Sequence, residues 1–180
     1  MTSNRKLTFE ILDDAKASRK HTQILNLLIL AFDGDFSDGD WRNSCGGVRI
    51  IGCVDGEIVA HAAIVSRKML VNAAEVNVGY VEGLAVHPSF QGLGFGKHLV
   101  QKVTELCRAN HALSLLSTDE HELYESAGWQ RFRGESFVSE ESGLVRTPEE
   151  DRGLMFLAAL GNADLDPHVL VCFDREGEPW

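Results

Sequence analysis

The chain is 180 residues long, 44% hydrophobic and 24% charged, the profile of an ordinary globular domain with a core of useful size. That composition excludes disordered, collagen-like and disulfide-scaffold classes, and no apolar run approaches the roughly 20 residues that span a bilayer. The net charge of −10 is unevenly placed: residues 1–118 hold 12 acids and 12 bases, whereas residues 119–180 hold 15 acids and 5 bases.

Such a one-signed surface repels nucleic acid, so neither nucleic acid nor membrane is expected as a partner. It is either a solvated acidic face or the wall of a cleft for a polycation. Met1–Lys6 carries positive charges with no apolar core behind them, so no signal peptide is expected. Cys45, Cys53, Cys107 and Cys172 form no C-x-x-C pair, which points to reduced thiols and a cytoplasmic location.

In chain order, Leu7–Ile11 alternates like a strand. His21–Phe32 carries Ile24, Leu27, Leu28 and Ala31 at helical spacing, and its apolar stretch Ile24–Phe32 reads as a buried helix. Asp33–Asp40 reads as a polar loop. Val48–Val54 and Glu57–Leu70 are strands joined by the hairpin turn Asp55-Gly56. Asn72–Ala74 turns the chain into a third strand, Glu75–Val86. A glycine-rich turn then opens a helix over about Gly94–Asn110, with Leu99, Val103 and Leu106 on one face. Leu113–Leu116 is a short apolar strand, Glu120–Ala127 a short helix stopped by Gly128, and Gly134–Gly153 a loop. Strands follow around Leu154–Leu157 and Val169–Phe173. The sum is one mixed α/β domain over residues 1–180.

Familiar motifs fail one by one. Asp33–Asp38 starts like a calcium loop but has Asp38 where the turn glycine belongs and Ser44 where the closing glutamate belongs. His121-Glu122 lacks the second histidine of a zinc helix, because Glu125 stands there, and no metal is expected. Gly92–Lys97 is neither a Walker loop nor a dinucleotide fingerprint, and no nucleophile elbow is present. The glycine turn nevertheless follows a strand and opens directly into a helix, where backbone N–H groups can face a pyrophosphate; alone, it is as readily a plain turn.

Val81–Pro88, followed by Gln91-x-x-Gly94-x-Gly96, resembles the coenzyme A signature of the GCN5-related N-acetyltransferases (GNAT), and Leu123–Trp129 resembles their second signature. A narrower resemblance, to the aminoglycoside 2′-N-acetyltransferases, covers nearly the whole chain. It is carried by Gly34-Asp35-Phe36, Asp40-Trp41, Gly46-Gly47, Ala60–Ala63, Gly79–Glu82, Arg146–Glu150 and the ending Arg175–Trp180. Several acids are Glu where the mycobacterial members have Asp, which leaves the particular antibiotic open.

The resemblance implies the GNAT fold, a mixed, mostly antiparallel sheet flanked by helices with a V-shaped opening for acetyl-CoA. It also implies a homodimer. On the strand Val76–Val86, alternation puts Val78, Tyr80, Glu82, Leu84 and Val86 on one face, and Glu82 is the only carboxylate there. Desolvation would raise its pKa toward that of a working base, unless a structural partner holds it. The resemblance makes Glu82 the base, through water, and Tyr124 the acid for the departing thiolate. It gives Leu84, Ala85 and Val86 to the pantetheine arm, and Gln91, Gly92, Leu93, Gly94, Phe95, Gly96 and Lys97 to the pyrophosphate.

Asp35, Asp40, Glu150, Glu178 and the Trp180 carboxylate, singly ordinary surface acids, are expected around a cationic aminoglycoside, together with Glu82, Gly83 and Ser117. No motif makes a cysteine an acyl carrier, so transfer is expected to be direct, in a ternary complex. Kasugamycin competes with deoxystreptamine aminoglycosides as substrate. A polyamine or peptide acetyltransferase and a non-catalytic acyl-CoA-binding module are the other readings.

Overall fold

In the computed structural model the described residues are 6–162 and 165–180; the signal-peptide reading of residues 1–5 lies outside them. No helix among the described residues is long and apolar enough to cross a membrane. The chain forms two compact units, one of residues up to Val65 with Glu82–Val103, the other of Ser66–Val81 with Thr104–Trp180.

In the first unit, β1 (Thr8–Asp13), β2 (Val48–Val54) and the first part of β3 (Glu57–Val71) pair in antiparallel order. Asp55 and Gly56, at φ 51° and 84°, make the β2–β3 turn, where both residues need the left-handed region. Directly after β1 come α1 (Asp14–Ser18), capped by the Asp13 side chain on the Lys16 N–H, and α2 (His21–Ala31).

Ile24, Leu27 and Leu28 of α2 pack with Leu12, Ala17, Ile51, Ile58 and Ala85. Each such buried aliphatic side chain contributes about 1.5–3 kcal/mol. The apolar stretch is buried on one side only, because Ile29, Leu30 and Phe32 are exposed. Asp33–Asp40 is not all loop: α3 (Asp38–Asn43) starts inside it. Ser37 and Asp40 form a capping box there, a spacing that the polar composition hid.

In the second unit the strand order is β6-β9-β5-β4-β3-β10-β7-β8, with β4 (Ala74–Val86), β5 (Leu113–Ser117), β6 (Gln130–Arg131), β7 (Glu135–Glu140), β8 (Gly143–Arg146), β9 (Leu154–Ala158) and β10 (Val169–Phe173). The β4–β5 and β7–β10 pairs are parallel and the other registered pairs antiparallel. Parallel neighbours need a crossover, and α4 (Phe95–Asn110) supplies it between β4 and β5. Leu113–Leu116 is buried on both faces, Ser114 included, so the strand expected to be apolar also buries one hydroxyl.

The expected loop Gly134–Gly153 is corrected to the hairpin β7–β8 plus a short loop. Its strands escaped notice because β8 is exposed and carries no alternation. The helix before Gly128 is α5 (His121–Glu125). Trp129 is buried behind it, its indole N–H donating to Thr104 Oγ1 at 2.8 Å.

Gly47, at the entry to β2, lies so close to β3 that an added Cβ would stand 2.0 Å from the Ile64 carbonyl oxygen. Gly47→Ala should therefore destabilise by about 2–3 kcal/mol, lowering the melting temperature by roughly 5–10 °C. A wild-type thermal denaturation curve for the variant would contradict this packing.

Candidate functional site

The glycine turn lies in the first unit and is built from both ends. The His87 N–H donates to the Val59 carbonyl at 2.8 Å, and His87 Nδ1 caps the 3-10 turn Pro88–Phe90 through the Ser89 N–H. Phe90 and Phe95, both buried, stack across the turn with ring centroids 6.1 Å apart. Between them Gly92 and Gly94 take φ of 76° and 81°, and a Cβ on either would meet nothing within 4 Å.

The turn is thus open on the side from which a ligand would come, and the first N–H groups of the 16-residue helix α4 lack intrahelical partners. The sequence from Gly92 to Lys97 fits a pyrophosphate cradle. The Gln91 side chain braces the turn, its Nε2 donating to the Val86 carbonyl at 3.2 Å.

Upstream of the turn, Glu82 is half-buried on β4. The next residue, Gly83, has φ 57°, so the regular alternation expected to carry Leu84 and Val86 on the face of Glu82 is interrupted. Ala85 and Val86 are consecutively buried, as a break in period-two alternation allows, and Leu84 is half-buried.

The Gly83 carbonyl accepts a 2.7 Å hydrogen bond from His61 Nδ1 on β3, and Arg49 Nη1 on β2 lies 3.0 Å from His61 Nε2. Burial pushes the His61 pKa down to about 3, so the ring is neutral at physiological pH. Sequence reasoning assigned no role to Arg49 or His61. The available signal was a cation and an imidazole at inward positions of apolar strands. Asp35 is exposed in the turn after α2; Asp40 is half-buried, and its Oδ2 accepts from the Ser37 N–H and hydroxyl at 2.8 Å.

The second unit gathers Ser117, Glu150, Glu178 and Trp180 around the loop 146–153. Arg146 and Asp151 form a close ion pair, and Asp151 Oδ1 also takes the Ser136 N–H and hydroxyl. Burial pushes the Asp151 carboxyl up, but the hydrogen bonds from Arg146 and Ser136 outweigh it and hold it below the usual range. This pins the loop at one end. At the other, the Thr118 N–H donates to the Gly153 carbonyl, and an added Cβ on Gly153 would come 2.7 Å from Ser117 Oγ.

The tail closes on the same loop. Trp180 is buried with its indole N–H on Thr147 Oγ1 at 3.2 Å, and Arg67, stacked 4.5 Å from the Tyr80 ring centroid, donates to the Pro179 carbonyl. Glu150 and Glu178 are close enough to interact: burial raises the Glu150 pKa first, and the charges of Glu178 and Glu149 raise it further.

Tyr124 of α5 is buried, with its ring edge-on to Trp129 at 6.1 Å. Burial, and then the charge of Glu120, push its phenol above the ordinary range, so it holds its proton at neutral pH.

A supported glycine turn between a strand and a long helix, beside a half-buried carboxylate, defines a coenzyme-binding acyl-transfer fold. The chain belongs to the acetyltransferase (GNAT) family, whose model matches residues 20–129. It is 35% identical over 160 residues to the aminoglycoside 2′-N-acetyltransferase of Mycolicibacterium fortuitum, covering 86% of this chain and 82% of that protein. Its fold is that of the GNAT family N-acetyltransferase YhbS from Escherichia coli in complex with CoA. There the TM-score is 0.68 at 16% identity, over 95% of this chain and 92% of the other. A GNAT family acetyltransferase from Brucella melitensis in complex with acetyl-CoA matches 71% of this chain and 84% of its own, with a TM-score of 0.56 and 18% identity.

The acid pair carries a pH signature. A Glu150 pKa above its unfolded value means that ionisation costs native stability as pH rises through the folded value. Glu150→Gln should therefore melt at a higher temperature than wild type at pH 7. The difference should vanish below about pH 4, where the carboxyl is protonated in both states. Equal melting temperatures at pH 7 would contradict the repulsion.

Proposed function

We propose that this acetyltransferase acetylates the 2′-amino group of an aminoglycoside, using acetyl-CoA as co-substrate in a ternary complex. The observation that carries the substrate class is the Glu150–Glu178 pair. Burial makes Glu150 costly to ionise, the nearby charge of Glu178 adds to that cost, and a bound polycation relieves it. The 35% identical relative, an aminoglycoside 2′-N-acetyltransferase, supports the same choice. The family resemblance assigns Trp180, Asp35, Asp40, Gly83 and Ser117 to binding of the acceptor, and Leu84, Ala85 and Val86 to the pantetheine arm.

In this reading acetyl-CoA supplies the activated acetyl group. Glu82, through water, takes a proton from the 2′-ammonium, which frees the nitrogen lone pair. The N–C bond forms as the C–S bond breaks, Tyr124 gives its proton to the departing thiolate, and the second proton shed by the nitrogen as the neutral amide forms restores the Tyr124 phenol through solvent. The product has lost a cation and hydrogen-bond donors. The working unit is one acetyltransferase domain over residues 1–180, homodimeric and cytoplasmic.

Release of free thiol from acetyl-CoA tests the reading against gentamicin, tobramycin, kasugamycin and spermidine. Turnover with gentamicin or tobramycin is expected, and turnover with kasugamycin alone would move the substrate to that smaller 2′-amine. Turnover with spermidine only, or coenzyme binding without turnover, would overturn the assignment in favour of a polyamine enzyme or a binding module.

Gly94→Ala should weaken acetyl-CoA binding at least roughly tenfold by calorimetry, because the new methyl group enters the open side of the cradle. Its melting temperature should fall only a few degrees, the cost of about 1–2 kcal/mol for a left-handed alanine. Unchanged affinity would remove the turn from the coenzyme site.

Glu82→Gln should lower turnover roughly 100-fold at pH 7, the usual worth of a general base. Tyr124→Phe should lower turnover with nearly unchanged acetyl-CoA affinity. Wild-type turnover per folded enzyme in either variant would exclude that residue's role.

A further inference from the structure

Arg49 and His61 are buried to 1% and 0% exposure, and the mechanism above uses neither. They lie on one face of the β2–β3 pair, offset by one diagonal, since Arg49 is registered with Ala63 and Ile51 with His61. The Gly83 carbonyl can only accept, so the 2.7 Å contact fixes His61 as the Nδ1–H tautomer. The bare Nε2 then faces the Arg49 Nη1 donor at 3.0 Å. Arg49 is in turn held by Ser44 Oγ at 3.1 Å, Cys45 Sγ at 3.3 Å and the Trp41 ring at 4.2 Å.

The recipient of this chain is an unusual backbone. Gly83 takes φ 57° inside a strand, and crowding does not explain the glycine, because an added Cβ would find its nearest atoms at 3.5 Å on Leu28 and 3.6 Å on His61. The requirement is conformational. No peptide bond among the described residues is cis, so the Gly83–Leu84 peptide sends its N–H opposite to its carbonyl. With the carbonyl turned to His61, the Leu84 N–H points away from the imidazole.

The geometry points to His61, backed by Arg49, as a positioning residue that locks the Gly83–Leu84 peptide so that the Leu84 N–H is aimed at the bound thioester. This rests on the reading of Leu84 as part of the acetyl-CoA site. Glu82 is attached to the same locked segment, so its backbone is fixed by the same contact.

Two substitutions separate positioning from mere packing. His61→Asn keeps an N–H donor near the place of Nδ1 but loses the Arg49 contact, whereas His61→Leu loses both. Both should melt below wild type. His61→Leu should lower turnover roughly 10- to 100-fold and reduce the preference for acetyl-CoA over CoA in calorimetry. His61→Asn should stay within about threefold of wild type.

Two resonance measurements report on the lock without turnover. In the wild type the ¹⁵N spectrum of His61 should show a protonated Nδ1 and a bare Nε2. The Leu84 amide resonance should move in His61→Leu and hold in His61→Asn. Equal turnover of the two variants per folded enzyme, the opposite tautomer, or an unmoved Leu84 amide in His61→Leu would overturn the proposal. If the wild type binds no acetyl-CoA, the acetyl-transfer reading is what fails, and the tautomer and Leu84 resonance decide the lock alone. If His61→Leu does not fold, loss of the Leu84 resonance position in His61→Asn overturns it.

Discussion

A fully buried guanidinium is the constraint around which the first unit is arranged. Taking an ion out of water costs several kcal/mol unless neighbouring groups replace the lost solvation. For Arg49 they do so through the Trp41 ring, Ser44, Cys45 and a neutral imidazole. These groups come from α3, its C-terminal edge and β3, and through His61 the chain of contacts reaches β4. One cation therefore couples the local geometry of four elements. The neutrality of His61 follows from the same burial, and the Arg49 charge beside it disfavours a second cation.

The second unit solves the opposite problem, holding acids without neutralising all of them. Asp151 is committed to Arg146 and Ser136 and makes the loop 146–153 rigid. Glu150, one residue earlier in the chain, is raised by burial first and then by the charges of Glu178 and Glu149. The structural acid is thus paired, while Glu150 remains costly to ionise. The indole of Trp180 is anchored on Thr147 of the same loop, so tail and loop are held together by neutral contacts.

Much of this was legible along the chain. The strands Val48–Val54, Glu57–Val71 and Ala74–Val86, the helix from Phe95 to Asn110 and the strand at Leu113 follow from apolar periodicity bounded by turn residues. The glycine turn announced itself through its place between strand and helix. What stayed hidden had weak local signals. The strand β8 has no buried face, and α3 is a single capped turn and a half in a Gly/Asp-rich stretch.

The sequence by itself determined which segments alternate and which turn, where the glycines stand, and that the excess negative charge lies in the last third. These are properties of neighbours in the chain, set by side-chain period and backbone freedom. Only the tertiary structure decided that Arg49 and His61 converge on Gly83, that Glu150 meets Glu178 from a distant part of the chain, and that Trp180 turns inward onto Thr147. Those contacts join residues from different strands and loops. Their energy depends on burial and on distance in space, neither of which is written in the local order of residues.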